Sequence, residues 1–404
     1  ALAAYSDYAS HPAAPGTEEY PDLAYQQGYA HFKLQGYAQA ASKFRDYTAG
    51  APEGPEKTDA WMRLGDSYFA SRSYRQAISA YEQALASGSP ERDYAAYQKA
   101  MSLGFVGQEE EKRTALQAFT DQFPNSSLKD DALFELGNSF VQDGRDEAAI
   151  TAWDRLLQGY PMSSLVPAAM MRKGLVYYNA GRNEQALAVF RELVRAHPNT
   201  AQAVQAVQTA KLIYVDLGRV DDYAAWARNL DFVEVTDSEL ETATFEAARK
   251  QQLEGRTGAA IRGFEKYLEQ FPGGRQRMEA YFALAQLHYT SGDADAALDP
   301  FKTVADSGTG EAREQALTRV CEILISKGDY PAAMPYLERL EQTADIPQNK
   351  TFAQSNLMKG YFGQEDYKRT LQYAEKVLSN PALDDRIRSD ARLMIARSAW
   401  ETGD

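Results

Sequence analysis

The residues best suited to acid–base chemistry are two aspartates, Asp59 and Asp66, which lie seven positions apart. On an α-helix this spacing places both side chains on one face, roughly 10 Å apart along the axis. Carboxylate pairs cleave glycosidic bonds at about 5.5 Å with retention and at up to about 9.5 Å with inversion. The two aspartates fall outside the first geometry and at the limit of the second. A charged stripe facing solvent or a partner is therefore the favoured interpretation.

The histidines and the cysteine give no support for metal binding or nucleophilic catalysis. The four histidines, His11, His31, His197 and His288, are scattered, and no H-E-x-x-H or paired C-x-x-C motif occurs. The phosphate-binding pattern G-x-x-x-x-G-K-[ST] is also absent. Cys321, the only cysteine, occupies a position that is small throughout a repeat, so we expect a buried, inert thiol. We predict no catalytic residue, no metal and no cofactor.

Charge and hydropathy exclude two classes of partner. The 404 residues include 43 basic and 57 acidic side chains, for a net charge of −14. An acidic surface repels nucleic acid and anionic membranes, so we predict no nucleic-acid partner. No apolar run approaches the roughly 20 residues of a membrane-spanning helix, so we predict no direct membrane insertion in this segment.

The spacing of these residues follows a repeat of about 37 residues. Its clearest copy begins with Trp61, Leu64, Gly65 and Tyr68, in the pattern W-x2-L-G-x2-Y. The position of Gly65 recurs every 35 to 38 residues, at 28, 65, 100, 137, 174, 211, 248, 285, 321, 358 and 396. Each copy predicts two antiparallel helices. Gly65 and Ala77 are small because these helices cross closely there.

This pattern is that of the tetratricopeptide repeat (TPR), whose usual period is 34 residues. The extra residues lie between hairpins, where an aromatic-Pro-x-Ser motif occurs at 123–126 and 160–163. This motif, followed by an Ala-rich helix, resembles bacterial envelope TPR proteins such as the barrel-assembly lipoprotein subunit and the Tol-Pal coordinator. Residues 352–361 and 390–400 resemble the long TPR proteins of Bacteroidetes-type bacteria. The resemblance implies a periplasmic or outer-membrane-associated location, with the cytoplasm left open, and a protein-binding role.

We predict an all-α fold, a right-handed superhelical solenoid of about ten TPR hairpins. Residues 1–22 are expected to hold the second helix of a truncated preceding repeat and a linker, so the sequence is expected to be a piece of a longer array. Residues 23–230 would form six hairpins, and 231–404 four hairpins plus a lone first helix. Residues 211–240 predict a shortened hairpin, either at a bend or in an ordinary degenerate repeat. Thr236 and Glu239 predict a capping box.

The TPR resemblance implies that positions −6, −3, +1 and +4, counted from each small residue, line an inner groove. The predicted groove residues are Tyr25, Tyr29, Phe32, Asp59, Met62, Asp66, Phe69, Tyr94, Tyr97, Met101, Asp131, Phe134, Asn138, Met171 and Tyr178. Aromatic and methionine side chains suit an adaptable apolar peptide site, and the aspartates would favour a basic or amide-rich ligand.

Two functions fit this surface. The first is a non-catalytic scaffold or adaptor that binds a protein or peptide in the groove, in envelope assembly or secretion. The second is a carbohydrate-binding envelope protein, because rows of aromatic residues with aspartates also suit a glycan. An enzyme has no supporting motif.

Overall fold

The computed structural model describes residues 2–11, 22–381 and 383–403, and regular structure in them is α-helical throughout. The chain divides into two compact units, Ala1–Ala210 and Lys211–Asp404. The predicted boundary at 230/231 divides the chain between hairpins and stays a prediction. Within the segment 1–22, predicted to hold a helix and a linker, residues 12–21 lie outside the described residues. The predicted all-α array of paired antiparallel helices is confirmed.

The first unit consists of hairpins in which consecutive helices between residues 2 and 196 pack on one another. Its helices are α1 (Leu2–Ser10), α2 (Leu23–Lys33), α3 (Tyr37–Gly50), α4 (Pro55–Ala70), α5 (Tyr74–Ala86), α6 (Arg92–Phe105), α7 (Glu109–Gln122), α8 (Lys129–Gln142), α9 (Asp146–Gly159), α10 (Val166–Asn179) and α11 (Asn183–Ala196). The next helix, α12 (Ala201–Asp216), contains the boundary between the units.

The second unit repeats this arrangement. Its helices are α13 (Val220–Ala227), α14 (Asp237–Leu253), α15 (Thr257–Gln270), α16 (Arg277–Thr290), α17 (Ala294–Ser307), α18 (Gly310–Ser326), α19 (Tyr330–Thr343), α20 (Pro347–Gly363), α21 (Tyr367–Leu378) and α22 (Asp385–Thr402). Helix α13 has only eight residues, and the shortened hairpin predicted at 211–240 is confirmed. The capping box is confirmed too, because Thr236 Oγ1 accepts from the Glu239 amide at 3.2 Å and the Glu239 carboxylate accepts from the Thr236 amide at 3.2 Å.

Close helix crossing explains the small residue of the repeat. A β-carbon placed on Gly65 would lie 2.6 Å from the ring of Tyr81, which is fully buried on the partner helix α5. Such a distance is too short for a non-bonded contact between two carbon atoms, so a side chain at this position forces the ring to move. Ala77 is also fully buried, as predicted. The aromatic ring and the glycine therefore set the spacing within the hairpin.

The turn inside each hairpin places one residue in the left-handed region of backbone space. Most repeats use glycine here, but three use other residues: Gln35, Arg72 and Glu365, each with φ 59°. L-residues pay roughly 1–2 kcal/mol for this conformation. In those three repeats an edge-to-face aromatic pair spans the turn, as at Phe69–Tyr74, with ring centroids 5.5 Å apart. Its equivalents are Phe32–Tyr37 and Phe362–Tyr367.

Polar side chains on the first helices accept hydrogen bonds from the loops that connect one hairpin to the next. Each of these side chains lies seven residues before the small position of its own repeat, the repeat that precedes the loop. Asp93 accepts from the Ser126 hydroxyl at 2.6 Å, within the aromatic-Pro-x-Ser loop. The Glu241 carboxylate accepts from the Arg275 amide at 2.5 Å in the corresponding loop of the second unit. Each contact links a first helix to the start of the next hairpin, which fixes the longer loops that the 37-residue period contains.

Candidate functional site

Three of the predicted groove residues are buried, which corrects the prediction for them. Met62 is 1% exposed, Met171 3% and Asp66 8%. Met62 packs in a core cluster with Tyr81 of α5 and Ala95 of α6, so its partner helix and the next repeat cover it. The other predicted groove residues are half-buried, including Phe32 and Tyr178. Helical spacing in the sequence assigned all of these residues to first helices. It did not show which face of each first helix is covered by the next repeat.

Asp59 on α4 joins the first two repeats through two tyrosines of α2. The Tyr25 hydroxyl donates to Asp59 Oδ2 at 2.7 Å, and the Tyr29 hydroxyl donates to the same oxygen. Burial and these bonds to Asp59 raise the pKa of both phenols. Both rings also pack edge-to-face against the buried ring of Phe44, with centroids 6.1 and 5.4 Å away. The two tyrosines therefore pack within their own hairpin through Phe44 and join it to the next hairpin through Asp59.

Arg63 lies between the two aspartates that the sequence singled out. Its Nη1 is 2.7 Å from Asp66 Oδ2, its Nε is 3.4 Å from Asp59 Oδ1, and its Nη2 is 2.8 Å from Glu91 Oε2. Burial opposes the charge of the guanidinium, but the carboxylates of Asp66 and Asp59 raise its pKa. The prediction that Asp59 and Asp66 share a helix face is confirmed.

Asp66 joins the second and third repeats. Its Oδ1 accepts from the hydroxyls of Tyr81 at 3.0 Å and Tyr94 at 3.1 Å. Burial raises the pKa of the Asp66 carboxyl, against the lowering effects of Arg63 and the two hydroxyls. Since Arg63 and the tyrosines occupy both aspartates, these carboxylates do not form the acidic rim that was predicted to attract a basic ligand.

The same inter-repeat contact recurs along the chain and was missed by sequence reasoning. It joins position +1 of one first helix to position −6 of the next, and we call each such contact a rung. Tyr29–Asp59 and Asp66–Tyr94 are rungs of the first unit. In the second unit the rungs are Arg249–Glu279, with nitrogen and oxygen 3.6 Å apart, and Lys359–Asp390, at 2.7 Å. Complementary residue types at +1 and −6 were a signal available in the aligned repeats.

A different set of predicted residues, on α6 and α8, contains a buried polar atom that has no hydrogen-bond partner among the described residues. We call Tyr97, Met101, Asp131, Phe134 and Asn138 the α6–α8 patch. The Asn138 side-chain oxygen is buried and accepts no hydrogen bond from the described residues, although its nitrogen donates to Glu135 at 3.2 Å.

Asp131 in this patch makes no ion pair within the described part of the chain, and burial together with Asp130 and Glu135 raises its pKa. The patch therefore presents two oxygen acceptors on α8, and its α6 members Tyr97 and Met101 are half-buried.

An exposed aromatic cluster stands at the turn side of the second and third repeats. Phe105 is 57% exposed and stacks on Tyr74, with centroids 4.5 Å apart. Phe69, a predicted groove residue, lies edge-on to Phe105 at 5.7 Å. Phe105 was not predicted, because it ends α6 five residues after the small position, outside the positions used for the groove.

The described residues offer few groups suited to catalysis or to metal binding. Cys321 is fully buried at its small position, as predicted, and burial raises the pKa of its thiol to about 12. The described histidines, cysteine and carboxylates contain no group of three or more arranged to hold a metal ion. Among the helices that the structure describes, none is long and apolar enough to cross a membrane.

These features define a helical repeat protein in which, within each unit, polar and aromatic side chains join neighbouring first helices. The chain belongs to the tetratricopeptide repeat family, whose model matches residues 25–93, 62–103, 113–164, 134–201 and 245–312, more than half of the chain. The predicted TPR repeats are thereby confirmed. This family typically mediates protein–protein interaction and is generally non-catalytic.

Solved TPR structures are similar to this chain at low sequence identity. The C-terminal part of a TPR repeat-containing protein from Cytophaga hutchinsonii is 18% identical, over 72% of this chain and 98% of that one, with a TM-score of 0.38. Naa15/Naa10 bound to HypK-THB is 14% identical over 95% and 61% of the two chains, with a TM-score of 0.44. YrrB, a TPR protein with an unusual peptide-binding site, is 17% identical over 52% and 100%, with a TM-score of 0.40. A comparison with curated proteins finds no match.

Proposed function

We propose that this chain is a non-catalytic scaffold that binds a protein or peptide segment along its first helices, with the α6–α8 patch at the centre of the site. One observation carries the proposal: the buried side-chain oxygen of Asn138 accepts no hydrogen bond from the described residues, and Asp131 on the same helix makes no ion pair with them. A buried acceptor without a partner costs stability, and carboxylates with a shifted pKa are concentrated at functional sites, so both groups are candidates for contact with a ligand.

The side chains of the α6–α8 patch indicate which kind of ligand would bind there. Its two acceptors suit backbone N–H groups or a basic side chain, and Tyr97 and Met101 suit an apolar side chain beside them. An extended peptide supplies both at regular intervals. A basic or amide-rich segment, predicted from the sequence for the whole aspartate rim, is now expected at Asp131 rather than at Asp59 or Asp66.

The cellular role is proposed from the aromatic-Pro-x-Ser loops. Their resemblance to bacterial envelope TPR proteins supports a role in envelope assembly or secretion, in the periplasm or at the outer membrane. Fractionation of the source cells tests this location. Recovery of the protein with cytoplasmic rather than envelope markers would contradict it.

The test of binding uses a double variant that removes the two side-chain oxygen acceptors of α8 in the patch, Asp131→Ala with Asn138→Ala. Tagged protein is incubated with envelope extract, and captured proteins are identified by mass spectrometry. We expect the variant to lose the captured partner while its melting temperature stays equal to or above that of the wild type. The matched control is Glu111→Ala with Gln117→Ala, two exposed residues of the second helix α7.

Three outcomes would contradict the proposal. One is equal capture of the same partner by the wild type and by Asp131→Ala with Asn138→Ala. Another is capture of polysaccharide that resists protease, which would favour the carbohydrate-binding alternative. Loss of capture in the α7 control as well would show that the partner contacts the second helices rather than the patch.

A further inference from the structure

A groove on the second helices of the first two hairpins has the features of a separate binding site. It lies between α3, α4 and α5 and has a volume of about 600 Å³. Trp61, Leu64 and Tyr68 of α4 line it, and Arg45 of α3 and Arg75 of α5 stand at its edges. The two arginines are exposed, whereas Trp61 and Tyr68 are half-buried. We call this the arginine groove.

The arginine groove faces away from the proposed peptide site. Trp61 and Tyr68 follow Asp59 and Asp66, the rung residues of α4, by two positions each. Two residues correspond to about 200° of rotation around a helix axis, so the two pairs lie on opposite sides of α4. The inference below therefore does not rest on the proposed function.

The charge of the arginine groove is opposite to that of the whole chain. The chain carries a net charge of −14, yet no carboxylate lines this groove. Neither Arg45 nor Arg75 forms a side-chain hydrogen bond or an ion pair with any residue that the structure describes. Two adjacent, unpaired guanidinium groups beside aromatic rings form a surface suited to carboxylates that carry an apolar neighbour.

The next groove along the array shows that the fold does not require these arginines. It lies between α5, α6 and α7 and has a volume of about 670 Å³. Arg45 lies 17 residues after its small position, where the next repeat has Glu82. Arg75 lies 10 residues after its small position, where the next repeat has Glu110. The same hairpin architecture therefore tolerates a negative charge at both positions. Since packing does not require the two arginines, we infer that they serve to bind a ligand.

We propose that the arginine groove binds an acidic peptide segment of a partner protein. An aromatic or aliphatic side chain of that segment packs on Trp61 and Tyr68, and flanking carboxylates pair with Arg45 and Arg75. Charge complementarity selects this occupant, because a basic segment would meet two guanidinium groups and a neutral one would leave them unpaired. The neighbouring groove, with its glutamates, rejects the same segment.

The test measures fluorescence anisotropy of two labelled peptides, acidic GDEFDEG and its amide counterpart GNQFNQG, at low ionic strength. The wild-type chain should bind the acidic peptide at least about tenfold more tightly than the amide peptide. The variant Arg45→Glu with Arg75→Glu copies the charges of the neighbouring groove, so it is expected to fold normally. It should lose at least about tenfold in affinity for GDEFDEG.

A control changes net charge by the same amount away from the groove. The variant Arg92→Glu with Lys129→Glu alters the first turns of α6 and α8 and should bind GDEFDEG as the wild type does, within about twofold. Equal affinity for the two peptides, or an unchanged affinity of Arg45→Glu with Arg75→Glu, would overturn the proposal. Sedimentation supplies a second check: dimerisation of the wild type that Arg45→Glu with Arg75→Glu abolishes would identify a second copy as occupant and would also overturn it.

Discussion

The carboxylate of Glu314 on α18 accepts a hydrogen bond of 2.7 Å from the side chain of Asn349, in the first turn of α20. The same carboxylate accepts from the backbone amides of Asp345 at 2.9 Å and Ile346 at 3.1 Å. Glu314 thus accepts hydrogen bonds from donors in the loop and in the first turn of the next repeat's first helix, although it belongs to the preceding hairpin. It is 6% exposed, and each of its hydrogen bonds replaces one to water.

Replacing Glu314 with Gln should destabilise the protein by roughly 1.5–3 kcal/mol, because the amide loses charge-assisted bonds and turns an NH₂ group towards other donors. Chemical denaturation measures the free energy of unfolding. The control is Glu311→Gln, an exposed residue of the same helix, which should change it by less than about 0.5 kcal/mol. Similar effects from both substitutions would contradict the role assigned to Glu314.

Stability should fall in acid partly through Glu314. Burial alone would raise its pKa, but the donors from Asn349, Asp345 and Ile346 outweigh burial and lower it from the ordinary 4.5. A lowered folded-state pKa contributes stability above 4.5 that is lost as the pH falls through the folded-state value. The stability difference between the wild type and Glu314→Gln should therefore shrink below about pH 4.5. A difference that stays constant from neutral to acidic pH would contradict this.

Arg63 should be essential only while its carboxylate partners are charged. Arg63→Gln leaves the buried Asp66 without a cation and should cost roughly 3–5 kcal/mol. Adding Asp66→Asn should recover part of that loss, since the uncompensated charge is removed. A double-mutant cycle measured by thermal denaturation gives the coupling energy. Additive effects of the two substitutions would show that Arg63 and Asp66 act independently.

Gly65→Ala should destabilise the protein by roughly 1–3 kcal/mol, because the new methyl group would lie 2.6 Å from the ring of Tyr81. Gly50→Ala is the matched control: this residue ends α3, and no atom lies within 4 Å of its hypothetical β-carbon. Melting temperatures of the two variants give the comparison. Gly65→Ala should melt well below the wild type, whereas an equal or higher melting temperature would contradict the close crossing.

Local spacing in the sequence was sufficient to predict the hairpins. The small position of Gly65, the ring of Tyr81, the buried thiol of Cys321 and the capping box at Thr236 all follow from residue types within one repeat or one helix turn. These features depend on contacts inside a hairpin, which the 37-residue period already defines.

The surface was harder to predict because each repeat is partly covered by the next. The burial of Met62 and Asp66 depends on α5 and α6, and helical periodicity in α4 contains no information about them. Arg63 was not singled out as a site residue, although its place between Asp59 and Asp66 cancels much of their charge. Only a comparison of +1 with −6 in the following repeat would have revealed these contacts.

The rungs also distinguish hairpins that are otherwise nearly interchangeable. Repeats with the same core pattern can dock out of order during folding, which is a known route to misassembly in such arrays. If the hairpin with Asp66 at +1 met the one with Glu279 at −6, two carboxylates would face each other. If Lys359 met Tyr94, its ammonium would lose the carboxylate that it now contacts at 2.7 Å. The rungs therefore make each hairpin pair best with its native neighbour, which favours the native order of the hairpins over its permutations.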